Sequence, residues 1–158
     1  MDWKNILISV SLSLIPAVVV AILTVRLSLR QFYSQKWWEK KVEAYSNIIK
    51  DLKNFHYCIS ELYDLETGVK QLNDHRLDTL DRNKRKSFEN LKLTALEKNF
   101  VISKEAAMEL DKFIKKTAYD YPEQDKEPLS EYYGRQYEGI EECLMNFRLY
   151  AKKDLKVS

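Results

Sequence analysis

The sequence predicts an all-α protein in which a single N-terminal transmembrane helix continues into a cytoplasmic antiparallel bundle of about four helices. Three observations lead to this fold class. An uncharged apolar run covers residues 5–25. The 158 residues include only three Gly and three Pro, which is few for a fold that needs many tight turns. Downstream, apolar residues recur at intervals of three and four, the spacing of one helix face.

The first element is the run from Asn5 to Val25, NILISVSLSLIPAVVVAILTV, which lies between Lys4 and Arg26. As a helix it is roughly 31 Å long, against a hydrocarbon core of about 30 Å, so it crosses a bilayer once. A cleaved signal peptide fits less well, because the run is long, almost no positive charge precedes it and no small-residue cleavage site precedes Arg26. We therefore expect an uncleaved span over residues 5–25, with residues 1–4 as a short external N-terminus.

Basic residues after the span set its expected orientation. Only Lys4, beside Asp2, precedes it, whereas Glu39 is the single acidic residue among five basic ones that follow: Arg26, Arg30, Lys36, Lys40 and Lys41. By the positive-inside rule, the C-terminal body faces the cytoplasm and the N-terminus faces outward. The same membrane-flanking basic side chains would be attracted to anionic lipids.

Small residues recur every four positions within the span, at Ser9, Ser13, Ala17 and Ala21. They would form one face along which two membrane helices can approach closely, through self-association or packing with a partner. The alternative is that Ala and Ser are simply common in membrane helices. Pro16 lies mid-span and lacks the N–H that would bond to the carbonyl of Leu12, which predicts a kink, as a static bend or as a hinge.

The 133 residues from Arg26 onward suffice for one domain with its own core. We assign residues 26–151 to the helical bundle and residues 152–158 to a flexible tail. Basic residues exceed acidic ones by two, so no specific nucleic-acid partner is expected. Cys58 and Cys143 fit a reducing compartment, where free thiols are more common than a disulfide.

Helical spacing predicts the elements of the bundle. From Trp38 to Tyr63 the apolar positions form a coiled-coil-like heptad pattern in a helix that ends near Leu65. Its a and d residues are Trp38, Val42, Tyr45, Ile49, Leu52, His56, Ile59 and Tyr63, and Ile48, Phe55 and Leu62 fill g beside them. This stripe is three positions in seven wide, which suits a helix in a bundle better than a two-stranded coiled coil. Further helices are predicted over about 84–99, over about 104–118 with Ser103 as N-cap, and from Ser130 to about Ala151. The segment YDYPEQDKEPLS, residues 119–130, is the predicted loop.

No motif of catalysis, metal binding or cofactor binding is found, so we expect no enzyme activity and no cofactor. Gly134 and Gly139 have the glycine spacing of a P-loop, but Ile140 and Glu141 follow where Lys and Ser or Thr are needed. The two histidines, His56 and His75, have no clustered ligands in the sequence. His56 lies at a core-facing position of the heptad pattern. Two roles are open for it: a pH switch, or a neutral core residue with a hydrogen bond.

Tyrosines cluster around the predicted loop and offer a possible partner surface, because Tyr is enriched at protein interfaces. The alternative is that they only cover the end of the bundle. The residues of this cluster are Tyr119, Tyr121, Tyr132, Tyr133 and Tyr137.

Residues 25–45, VRLSLRQFYSQKWWEKKVEAY, resemble a scattered group of small bacterial inner-membrane proteins of unassigned function, which share an N-terminal anchor followed by a KWWEKK-x-EAY-like helix. The resemblance implies a bacterial inner-membrane setting and suggests accessory proteins of mobile or antiphage loci. It brings no catalytic residue with it.

Two functional classes follow. The first is a single-pass interaction protein that recruits a cytoplasmic partner to the bacterial inner membrane and has no catalysis of its own. The second is an oligomerising effector of the bilayer, of toxin or antiphage-defence type, which acts through its transmembrane helix. A bulky residue at Ala17 should abolish only the second activity. A membrane-bound enzyme, a third class, would show turnover that no motif here predicts.

Overall fold

The computed structural model describes residues 3–70, 74–119 and 127–156, with side chains described from Pro16 onward except at positions 74 and 119. All the regular secondary structure in these ranges is α-helical, which confirms the predicted fold class. The helices are α1 (Trp3–Glu66), α2 (Asp74–Lys98), α3 (Lys104–Tyr119) and α4 (Leu129–Leu155).

The chain divides into two units, Met1–Glu39 and Lys40–Ser158. The compact body thus begins at Lys40, later than the boundary at Arg26 that the sequence suggested. The physical reason is that the side chains between these positions are exposed, including Leu27, Phe32 and Trp38. Helix α1 runs without interruption through residues 31–35, where the sequence left its continuity open.

The first unit is helical from Trp3, and Pro16 lies inside the helix. Among the described residues this is the one helix long and apolar enough to cross a membrane, and none of its apolar window is buried within the protein. Val20 is 61% exposed and Val25 is 58% exposed. The long apolar N-terminal helix is therefore compatible with a single membrane crossing.

The second unit is an antiparallel four-helix bundle, and contacts between α1 and α4 show their opposite directions. Early in this part of α1, the Tyr45 hydroxyl bonds to Asp154 near the end of α4. Later in α1, the ring of Tyr63 stacks on Tyr137 near the start of α4. The two helices therefore pack side by side and run in opposite senses.

The same up-and-down order holds for the other neighbours. In the pair α1 and α2, Asp51 accepts a hydrogen bond from Thr94, and Phe55 packs against Phe88. In the pair α3 and α4, Asn146 donates to Glu109. Short connections between antiparallel helices are typical of such bundles.

The predicted apolar stripe of α1 is buried along its d and g positions from Tyr45 onward. Its buried apolar residues step by three and four along Tyr45, Ile48, Leu52, Phe55, Ile59 and Leu62. The predicted a positions Val42, Ile49 and His56 are only half-buried, and Tyr63 is exposed. The stripe therefore faces the four-helix core with its d and g positions, and its a positions lie at the edge of that core.

One main core joins all four helices. Leu91 of α2, Leu110 of α3 and Phe147 of α4 are buried against the α1 stripe. A smaller cluster of Cys58, Leu62 and Leu80 lies toward the α1–α2 connection. Burial of Leu80 explains why α2 begins at Asp74 and not near Lys84 as predicted: its first turns cover the end of α1.

The capping predictions are confirmed at α3. The Ser103 hydroxyl accepts a hydrogen bond from the Ala106 N–H, at 3.3 Å, as an N-cap does. At the end of α1, Gly68 adopts a positive φ of 76°, a backbone conformation that favours glycine. The helix therefore ends at Glu66, within one residue of its predicted end.

The predicted flexible tail from residue 152 is wrong for the part that the structure describes. Helix α4 extends to Leu155, and Lys156 in the left-handed conformation terminates it. Asp154 holds this last turn, since it accepts hydrogen bonds from Lys41 Nζ at 2.7 Å and from the Tyr45 hydroxyl at 2.9 Å. Residues 157 and 158 lie outside the described residues.

Candidate functional site: a groove between two helices

A groove of about 840 Å³ lies on the outer face of the bundle between α1 and α4. Helix α1 contributes Lys53 and His56 to its wall. Helix α4 contributes the rest over four turns: Glu138, Glu141, Glu142, Leu144, Met145, Arg148, Leu149 and Lys152. An elongated groove between two helices is a shape that can receive a third helix.

The middle of the groove is apolar. Met145 is 58% exposed and Leu149 is 60% exposed, while Leu144 beside them is buried in the main core. Met is a flexible side chain that adapts to irregular partners, and it is common at binding surfaces. This stretch thus offers apolar area at the surface, backed by a packed core.

Charges separate along the groove. The three glutamates occupy the N-terminal half of the lined stretch of α4, and Arg148 and Lys152 occupy its C-terminal half. Of these residues only Lys152 lies in a terminal turn of α4, where the helix dipole favours a basic residue. Within the residues that the structure describes, no salt bridge within 4 Å joins Glu138, Glu142, Arg148 or Lys152 to another side chain.

The acidic end holds a polar contact with α1. The Tyr137 hydroxyl donates a hydrogen bond to Glu141 Oε1 at 3.1 Å, which raises the pKa of Tyr137. His56 Nε2 lies 3.7 Å from the same oxygen, and its ring packs on Tyr137 with centroids 4.7 Å apart. His56 Nε2 is buried without a hydrogen-bond partner among the described residues. The proposed proton switch at His56 stays a prediction.

The predicted tyrosine surface is split by the bundle. Tyr132 and Tyr133 line a separate cleft of about 490 Å³ that also includes Phe88 of α2. Tyr137 belongs with His56 and Tyr63 on the other side of α4. Tyr121 and the side chain of Tyr119 lie outside the described residues. The three described tyrosines, Tyr132, Tyr133 and Tyr137, are half-buried. Their burial fits side chains that cover the end of the bundle better than it fits an exposed recognition surface.

Charged residues of α2 border the tyrosine cleft. Asp81 pairs with Lys84 at 2.9 Å and with Arg85 at 2.8 Å, and the hydrogen bond from Lys84 lowers the pKa of Asp81. Lys84 Nζ also lies 5.5 Å from the centroid of the Tyr133 ring, a cation–π distance. The basic run at residues 82–86 is thus tied in part to neighbours within the bundle.

The basic residues that follow the span differ in their surroundings. Arg26, Arg30 and Lys40 are exposed, and Lys36 pairs with Glu39 at 2.7 Å. Lys41, predicted to flank the membrane, instead forms the ion pair with Asp154 in the bundle. Its half-buried position next to a carboxylate explains the difference.

The predicted packing face of the span is only partly described. Ala17 and Ala21 are exposed, and the side chains of Ser9 and Ser13 lie outside the described residues. Pro16 is accommodated inside a continuous helix, and the kink predicted there stays a prediction.

Both cysteines are free, as the sequence led us to expect. Burial raises the pKa of the Cys143 thiol to about 12 and also raises that of Cys58. Across the described ranges, no group of three His, Cys, Asp or Glu side chains is arranged to hold a metal ion.

The groove was missed by sequence reasoning, although its signal is present in the sequence. Glu138, Glu142, Met145, Arg148 and Lys152 recur at intervals of three and four on α4, opposite its buried face. From the sequence alone, a charged helix face of this kind indicates a solvated surface. The structure shows that this face lines a groove with Met145 at its centre.

No protein-family model matches the chain, and comparisons with curated proteins and with solved structures give no match. The fold and its surfaces therefore define the class of protein: an all-α chain in which a long apolar N-terminal helix leads into a four-helix bundle.

Proposed function

We propose that this protein is a single-pass adaptor of the bacterial inner membrane, whose four-helix bundle binds a cytoplasmic protein and keeps it at the membrane, without catalysis of its own. The observation that carries the proposal is the uncharged apolar run over residues 5–25, whose described side chains, from Pro16 to Val25, are all exposed. A bilayer is the natural cover for an apolar helix of this length.

Two further observations support the adaptor role. The bundle has its own core across four helices, so it is a folded body and not a frayed extension of the anchor. Its outer face has a groove with exposed apolar side chains at its centre, and four of the charges that line it form no ion pair with another described residue: Glu138, Glu142, Arg148 and Lys152. A groove between helices with exposed apolar side chains at its centre is a shape that can receive a helix of another protein.

The test is capture of the native complex. The full chain, tagged at its C-terminus and expressed at its native level, is purified from gently solubilised membranes, and the mass and composition of the complex are determined. We expect a second protein in a fixed ratio to this chain. A homo-oligomer without any second protein would contradict the adaptor.

The Ala17→Leu variant distinguishes the adaptor from the alternative function, an oligomerising effector of the bilayer. Ala17 is exposed on the face predicted to pack between spans, and a bulky side chain there blocks close helix approach. The adaptor account expects the captured protein to remain at wild-type yield. If Ala17→Leu instead abolishes a growth defect caused by the wild-type chain, the effector account is the better one.

A further inference from the structure

We propose that the groove between α1 and α4 receives an amphipathic helix of the cytoplasmic partner, with acidic residues at one end of that helix and basic residues at the other. This inference rests on the proposed adaptor function and specifies its partner site. It follows from the length of the groove, its apolar centre and the order of its charges.

Four of the charges that line the groove are arranged symmetrically about Met145, whereas Glu141, which lies near His56, and Lys53 of α1 stand outside this arrangement. Glu142 and Arg148 lie three positions before and after it, and Glu138 and Lys152 lie seven positions before and after it. Positions three and seven away share one helix face with Met145. The groove therefore has an acidic end and a basic end about 21 Å apart at the helical rise, which four turns of a bound helix would span.

At each end of the groove, neighbouring charges of α4 repel one another. Glu138 and Glu142 are like-charged at a spacing of four, and so are Arg148 and Lys152, an arrangement that slightly destabilises a helix. Opposite charges on a partner would compensate each pair. Charge complementarity of this kind sets the register and the choice of partner more than the total affinity.

The complementary helix runs preferentially antiparallel to α4. Its acidic N-terminal turns then face Arg148 and Lys152, and its basic C-terminal turns face Glu138 and Glu142. An acidic start and a basic end are also the distribution that the helix dipole favours. Apolar residues on the middle turns would cover Met145 and Leu149, the two exposed apolar side chains of the groove.

A peptide experiment tests the charge order. The probe is a synthetic 15-residue amphipathic helix with Glu in its first turns, Lys in its last turns and Leu on the face between them, and its binding to the full chain in nanodiscs is measured by fluorescence anisotropy. We expect Glu138→Lys with Glu142→Lys to weaken binding about ten-fold, as loss of two exposed ion pairs would. Exchanging all four charges, by adding Arg148→Glu and Lys152→Glu, should restore binding. Equal binding by all three proteins would overturn the proposal.

A second experiment uses the captured complex. Met145→Asp should lose the captured protein, whereas Leu93→Asp should retain it, since Leu93 of α2 is equally exposed at 58% and lies outside the groove. Unchanged helical circular dichroism shows that both variants fold. If Met145→Asp still captures the same protein, the adaptor function stands and the groove is not its site. If the wild-type chain captures no protein, the adaptor function is wrong. The peptide experiment then tests by itself whether the groove binds a helix.

A second copy of this chain is the competing occupant. A Met145→Cys variant would then form a disulfide-linked dimer under mild oxidation, because Met145 would lie on the two-fold axis of such a pair. The partner-helix proposal expects a monomer, and a dimer in high yield would overturn it. The native thiols do not confuse the result, because Cys58 and Cys143 are buried.

Discussion

Replacing Tyr45 by Phe removes one oxygen atom from a contact that joins three parts of the bundle. The Tyr45 hydroxyl donates to Asp154 Oδ2 at 2.9 Å and accepts the Ser103 N–H at 3.0 Å. Its ring is 2% exposed and packs on Phe147, and the Phe variant keeps that packing. The substitution therefore isolates the two hydrogen bonds.

The expected cost is about 2–3 kcal/mol in the free energy of unfolding. A part-buried N–H left without its acceptor costs about 1–3 kcal/mol, and a hydrogen bond to a carboxylate contributes about 1.5–3 kcal/mol. The sum is reduced because Asp154 keeps its bond to Lys41. The pKa of Tyr45 is raised, mainly because the side chain is buried, so the phenol remains a hydrogen-bond donor at neutral pH.

The assay is urea unfolding of the full chain in a mild detergent, followed by circular dichroism. Tyr57→Phe is the matched control, because Tyr57 lies on the same helix and is 57% exposed. Its effect should stay within about 0.5 kcal/mol. If Tyr45→Phe costs no more than Tyr57→Phe, the Tyr45 hydroxyl does not stabilise the contact between α1 and the last turn of α4.

Three further perturbations have expected outcomes. Gly68→Ala should lower the free energy of unfolding by about 1 kcal/mol in urea melts, because a Cβ is strained at a φ of 76°. Ser103→Ala should cost about 1 kcal/mol by the same assay through loss of the α3 cap, and Ser103→Asp should recover most of it. Cys143, with its pKa raised to about 12, should resist iodoacetamide at pH 8 in the folded chain, and mass spectrometry should find it modified only in urea. The contribution of the Cys143 thiol to the free energy of unfolding should be complete below pH 9 and should decline as pH rises toward 12. The reason is that the folded state retains a proton that the unfolded state releases. The Cys143→Ala variant should lack this part of the decline in stability with pH.

The sequence predicts much of this fold because its local signals agree with each other. The spacing of apolar residues located α1, α3 and α4, and Ser103 marked the start of α3, which the structure confirms. The start of α2 was not predicted because residues 74–83 are rich in charge and have one buried apolar residue, Leu80. A single buried residue gives no periodicity to detect.

Interactions between distant residues account for the remaining differences. Nothing near Asp154 in the sequence indicates that Lys41 and Tyr45 hold it, so the last turn of α4 reads as a tail. Which positions of the predicted α1 stripe are buried most deeply depends on the helices that surround it, and the pattern of a single helix does not specify that. The groove likewise exists only once α1 and α4 lie side by side.

The membrane anchor is the claim on which the other proposals depend, and protease protection in spheroplasts tests it most directly. The full chain carries a C-terminal tag, and membranes are also extracted with alkaline carbonate. The account predicts that the chain stays in the membrane pellet and that external protease leaves the tag intact until the spheroplasts are lysed. Release by carbonate, or cleavage of the tag in intact spheroplasts, would contradict an inner-membrane anchor with a cytoplasmic bundle.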